Sequence, residues 1–268
     1  MSGARGRGQA PVGEAAIDAR GKIRRMRRSG SLHLPATGPC TGWRGAGPLL
    51  ALVCVAMPLL ARADCGDGPA PGVDWSGCEK HRLILRSADL RGAKLAGVDL
   101  SGSDLQSANL NGADLSRASL DRVRLSGADL SGARMSQVSA FRTNLSQARM
   151  LRADLSKAEM GRSNFAGADL SGANLGKAEV QRSNFKGANL TGTDLGGADL
   201  ARVSLVGARV AGAGFAQARL LLTRIEGLDM TQAQGLSQAQ IDAACGDGKT
   251  LLPKGLKVPT RWPCPKDD

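Results

Sequence analysis

Among the side chains able to carry chemistry in this 268-residue chain, five arginines keep strict time. Arg122, Arg142, Arg162, Arg182 and Arg202 recur every 20 residues. A chain that retraces its path with that period stacks them in one column, and like charges ~5 Å apart repel unless something neutralises them. Three residues ahead of them stand Ser119, Ser139, Glu159, Glu179 and Asp199, so the last three arginines have a carboxylate column nearby and the first two do not. Arg117 and Arg124 add to the unneutralised half. A patch of Arg117, Arg122, Arg124 and Arg142 could hold a polyanion, such as a phosphorylated envelope glycan or an acidic partner face. The plainer reading is a solvated charged face.

Catalytic chemistry has less to build on. His81 is the one histidine beyond the N-terminal quarter, and no Cys-His or Ser-His-Asp arrangement accompanies it. A solvated histidine is the simpler account. The many aspartates suit positions flanking a turn, where they bond nearby backbone groups, better than they suit acid–base work. No glycine-rich phosphate loop follows a strand and opens a helix. Zinc would call for closer cysteine spacing and further histidines. No catalytic residue, cofactor or metal is therefore expected.

The elements that position these side chains follow a period of five. From Leu85 to Met230 an apolar residue stands at all 30 positions whose number divides by five: 19 Leu, four Met, three Phe, two Val, one Ile and Ala140. Two residues ahead of this centre lies Ala in 18 of the 30 units, and one ahead lies Asp or Asn in 16. A helix turning ~100° per residue would smear such centres around its cylinder. A flat strand would send successive centres to opposite faces. Three extended residues followed by a corner satisfy the pattern, with the small residue and the centre both inward. A second period sets the number of corners, because Lys157 to Phe165 recurs nearly unchanged as Lys177 to Phe185. Four five-residue units per 20-residue coil make a four-sided rod, on the order of 35 Å long at the spacing of hydrogen-bonded strands. Phe165 and Phe185 should stack in its core. Ala140 is too small for its slot, and Phe141 follows where the chain should face out; local repacking or a binding notch would each explain the pair.

The repeat resembles the A-(D/N)-L-x-x motif of the pentapeptide-repeat family over Leu83 to Met230. The resemblance implies an all-β fold, a right-handed quadrilateral β-helix, with the handedness taken from the resemblance alone. It also brings the family's best-known trait, likeness to duplex DNA and binding of type II topoisomerases.

Four segments are expected. Residues 1–63 read as a secretory signal: basic residues around Met26, an apolar run from Pro48 to Leu60, then Ala61-Arg-Ala63, with cleavage after Ala63. Met26 would be a more ordinary start than Met1. That segment carries ten Lys or Arg against two Asp or Glu, which leaves 26 basic and 22 acidic residues, a net +4, from residue 64 onward. The whole-chain charge of +12 is thus weak support for nucleic-acid binding. Residues 64–82 form an N-terminal cap, 83–231 the repeat, and 232–268 a C-terminal cap whose Ser237 and Gln240 have capping-box spacing and whose Leu236 could staple onto Ile241. Cys65, Cys78, Cys245 and Cys264 allow three pairings, and the rod is far longer than the ~6 Å a disulfide spans. Cys65–Cys78 and Cys245–Cys264 are the economical choice. Trp75 and Trp262 sit in the caps as packing or recognition residues.

These features favour an exported, non-catalytic scaffold, periplasmic or secreted, that presents flat faces to a macromolecular or anionic envelope partner. No membrane span remains after signal removal, and end-to-end association of rods is open. A topoisomerase-binding DNA mimic is the alternative, opposed by the mature charge and the arginine column. An enzyme subunit without a visible catalytic set is a further one.

Overall fold

The computed structural model describes residues 63–264, and the targeting segment expected over 1–63 lies outside them but for Ala63. Within them the chain turns a corner every five residues from about Gly72 to Thr231. Leu110 shows the local rule. Its carbonyl accepts from the Ala113 N–H at 3.0 Å, and Gly112, between them, has φ +65°. A positive φ at the second of two central residues marks a type II turn. Next comes the inward pair, Ala113 and Leu115, both buried. Asp114 between them bonds up and down the rod, its N–H to the Ala93 carbonyl at 2.9 Å. Along most of the rod, residues in its position bridge in parallel to those 20 before and 20 after, as Lys94, Asp114 and Arg134 do.

The all-β expectation therefore takes an unusual form. No continuous strand occurs among the described residues; the ladder consists of isolated parallel bridges. Each side is three residues long, so only its middle residue can pair on both edges. The sheet is written across coils, one residue per coil.

The interior is a dry stack of centres and small residues. Phe165 and Phe185 stack with ring centroids 4.3 Å apart and planes 12° off parallel. On one side the small residue is a hydroxyl. Thr143 Oγ1 donates to the Leu120 carbonyl, Ser163 Oγ to Ala140 at 2.6 Å, and Ser183 Oγ to Met160 at 2.9 Å. Ser163 and Ser183 also accept from the N–H groups of Thr143 and Ser163. This buried ladder replaces the turn bond at the Ala140 corner, so that the Ala140 carbonyl and the Thr143 N–H stay paired.

Both caps differ from expectation in their bounds. Coil register begins inside the segment expected to be cap: Asp74 already bridges to Lys94, Trp75 occupies a centre at 1% exposure and Cys78 an inward small-residue position. Trp75 can take a Leu position because its Nε1 reaches the Asp67 carbonyl at 3.2 Å. The Cys65–Cys78 disulfide, with Cα atoms 5.6 Å apart, ties the preceding loop to this first coil.

At the other end a short helix, α1, spans Gln238–Ala243. Its capping box is present, and the Gln240 amide donates onward to the Phe215 and Ala218 carbonyls at 2.7 and 2.8 Å, closing the last corner. Pairing then resumes one or two residues out of step, Arg224 with Cys245 and Asp229 with Leu251, because the helix adds residues to the coil. Trp262 donates to the Ala244 carbonyl at 2.8 Å, and Cys245–Cys264 holds the tail, with Cα atoms 5.3 Å apart.

Candidate binding face

A corner residue whose φ is positive is cheapest as glycine, since an L side chain there clashes with the backbone. One corner of the rod follows that preference, with Gly72, Gly92, Gly112, Gly132, Gly172, Gly192 and Gly212 broken only by Arg152. The opposite corner does not. There Arg82, Arg122, Arg142, Arg162, Arg182 and Arg202 adopt φ between 56° and 60°, with Gly102 and Leu222 completing the column. Turn geometry does not ask for arginine at these places, and each costs strain.

The structure brings together five of the seven arginines picked from sequence and separates two. Arg122, Arg142, Arg162, Arg182 and Arg202 share the corner and are exposed. Arg117 stands on the preceding corner, with its Nε on Gln137 Oε1 at 3.0 Å. Arg124 is one residue beyond its corner turn, on the adjoining side, and lies 3.4 Å from Asp104, a carboxylate it shares with Arg86. Arg117 is thus held off the corner by an uncharged amide, and Arg124, though it lines one groove with Arg82 and Arg122, is paired with a carboxylate. Asp121 also lies at the supposedly bare end; its Oδ1 accepts from the Phe141 N–H and the Ser139 hydroxyl, both at 2.9 Å. Of the three carboxylates expected to neutralise the upper arginines, Asp199 is engaged by Arg219 at 3.1 Å. Glu159 and Glu179 make no ion pair among the described residues, and neither do the five corner arginines.

The column one residue ahead of the arginines went unread in the sequence, and it shapes the surface. It runs Asp121, Phe141, Gly161, Gln181. Phe141 is 38% exposed, its ring centroid 5.2 Å from the Arg142 guanidinium and 6.0 Å from that of Arg162. Beside it opens a groove of about 450 Å³, walled by Glu159 and Glu179 on one side and Arg162 and Arg182 on the other. Gln181 closes the far end with a buried Oε1 that has no hydrogen-bond partner. The column could have been found by reading the sequence at a step of 20 from Asp121.

The remaining chemical candidates sit where structure needs them. His81 is exposed at a corner. The repeat aspartates accept from the backbone N–H two residues on, as Asp114 does from Ser116 at 3.1 Å. Arg134, bonded to Asp114 at 2.7 Å, holds that carboxyl down to about 2 against the opposing effect of burial. Among the described residues no cluster of His, Cys, Asp or Glu could hold a metal ion, and no helix is long and apolar enough to cross a membrane.

Comparison with known proteins agrees with this geometry. The family model for pentapeptide repeats matches residues 84–122, 118–156, 148–187 and 183–220. The chain belongs to the pentapeptide repeat family. Among solved structures it is similar to HetL, a pentapeptide repeat protein involved in heterocyst differentiation regulation from the cyanobacterium Nostoc sp. strain PCC 7120. The two are 32% identical over 70% of this chain and 86% of HetL, with a TM-score of 0.52. Full-length QnrB1, a plasmid-mediated fluoroquinolone resistance protein, is 19% identical over 67% of this chain and 91% of its own, with a TM-score of 0.44. A pentapeptide repeat protein from the Arabidopsis thaliana thylakoid lumen is 26% identical over 53% and 70%, with a TM-score of 0.23. No curated protein matches the sequence.

Proposed function

We propose that this protein is an exported, non-catalytic rod that offers its arginine corner to an anionic partner in the cell envelope or outside the cell. The observation that carries the reading is the corner itself: five exposed guanidiniums without ion pairs, held in a backbone conformation that favours glycine. Other corners also carry non-glycine residues at positive φ, and what sets this one apart is its run of like charge. Arg122 and Arg142 are the partner-binding residues, with Arg82 beside them.

Export is supported by the two disulfides, one at each end of the rod, which persist in oxidising compartments and are rare in the cytosol. On this reading residues 1–63 are a targeting segment removed after Ala63, the disulfide-tied segments at either end of the rod serve as caps, and the coil winds right-handed as in the family. The mature net charge of +4 and the arginine corner count against mimicry of DNA.

Two measurements test the proposal. Intact mass and N-terminal sequencing of the protein from its own cell, after thiol alkylation, should give a start at Asp64 and four unalkylated cysteines. A start at Met1 or Met26 with free thiols would refute export. Replacing Arg122 and Arg142 by Gln should weaken salt-dependent retention on an anionic resin, and unchanged retention would refute the anion-binding role.

A further inference from the structure

The groove at Phe141 lies on the upper half of the face, clear of Arg122, and its chemistry differs from that of a polyanion site. Its volume, about 450 Å³, is in the range of small-molecule sites. The opening exists because Gly161 stands in a column whose neighbours are Phe141 and Gln181. Gly161 does not have a positive φ, so its turn has no need of glycine, and a Cβ there would meet the Phe141 ring and the Gln181 carbonyl at a relaxed 3.6 Å. A larger residue fits the backbone. What glycine provides here is space, with the coil backbone as the floor.

The walls carry opposite charge without cancelling it. Glu159 and Glu179 stand one coil apart, as do Arg162 and Arg182, so each wall offers two like groups ~5 Å from one another. A ligand carboxylate can bridge two guanidiniums at that spacing, and an ammonium two carboxylates. Gln181 closes the end of the groove between the two walls. An ammonium has three donors and can serve both Glu159 and Glu179. A simple anion would face the glutamates, and a simple cation would face the arginines.

We infer that this groove binds a small zwitterion, an α-amino acid with an aromatic or long apolar side chain. Its carboxylate lies on Arg162 and Arg182, its ammonium on Glu159 and Glu179, and its side chain against the exposed Phe141 ring. The inference does not rest on export or on the polyanion reading.

Calorimetric titration of the full-length protein tests it, with L-phenylalanine, phenethylamine, 3-phenylpropionate and inorganic polyphosphate as probes. Phenylalanine should bind saturably, and the two analogues with a single charge about tenfold more weakly or worse. Gly161→Gln fills the slot and leaves every charge in place. It should abolish phenylalanine binding, keep polyphosphate binding and melt like the parent. Arg122→Gln with Arg142→Gln should weaken polyphosphate binding and keep phenylalanine binding, which separates failure of this site from failure of the anion-binding corner. Equal binding of 3-phenylpropionate, unchanged binding by the Gly161 variant, or no saturable phenylalanine binding below about 10 mM would each overturn the assignment.

Discussion

Replacing Arg182 and Arg202 by glycine should make the rod more stable, although two charged side chains are lost. Both residues have positive φ, 60° and 58°, and neither touches an aromatic ring or a carboxylate in the structure. An L residue in this region costs about 1–2 kcal/mol, and the greater freedom of glycine in the unfolded chain returns about 0.5–1. The net gain is about 0.5–1 kcal/mol per site. Relief of like-charge repulsion adds to it: two charges ~5 Å apart in water repel by roughly 0.8 kcal/mol before salt screening. The pair together should gain about 1–2.5 kcal/mol, or a melting temperature higher by roughly 3–8 °C for a folded unit of this size. Thermal melts at low and high salt measure it, with the larger gain at low salt. Gly192→Ala is the reciprocal control, because its φ is +65° and a Cβ there would meet nothing within 4 Å. It should lose about 1 kcal/mol. If the double variant melts lower than the parent, the arginines hold the corner together, and the claim that they are kept at the expense of stability is wrong.

Other perturbations follow from the same contacts. Ser163→Ala leaves the Ala140 carbonyl and the Thr143 N–H without partners inside the rod, and should cost about 2–4 kcal/mol in denaturant unfolding; a loss under 1 kcal/mol would mean the hydroxyl ladder is dispensable. Cys245→Ser with Cys264→Ser opens a loop of sequence separation 19 and should cost about 3 kcal/mol, with faster hydrogen exchange confined to α1 and the tail. Acid should destabilise the rod. Asp114 is held at about 2 against a normal 3.8, so the unfolded chain takes up protons first; its contribution is complete above pH 3.8 and disappears as pH falls through about 2. Asp99 and Asp229, lowered by their bonds from Ser101 and Thr231, act in the same direction. Melting temperature should fall over that window, and Arg134→Gln should flatten the fall. A pH-independent melt from 5 to 2 would contradict it.

The fold was legible because its information is local and repeated. A centre every five residues and a copy every 20 were enough to predict four sides, the inward pair, and the stack of Phe165 on Phe185. What stayed hidden lies where the repeat is bent to another purpose. Trp75 and Cys78 occupy inward positions of a coil, yet they look like loop residues because neither matches the Leu and Ala they replace. The helix at Gln238–Ala243 was recognisable from its capping box, while the bonds by which Gln240 closes the rod depend on where the last corner ends in space.

The candidate site shows the same division in its sharpest form. Reading along the chain pairs each corner arginine with the residue three before it, which assigns Asp199 to Arg202; in the rod Asp199 instead meets Arg219, its neighbour in the next coil. Contacts on a solenoid surface run mostly across coils, between residues 18 to 20 apart, as with Arg86 and Asp104 or Arg134 and Asp114. Chemistry here is thus written in columns. Asp121, Phe141, Gly161 and Gln181 form no motif in sequence, since each is one letter in a different repeat and only Phe141 stands out by itself. Stacked at one position of four successive coils, they make an acid anchor, an aromatic wall, a gap and an unsatisfied acceptor. The pentapeptide code tolerates almost any residue at that outward position, so selection for a ligand can act there without disturbing the core.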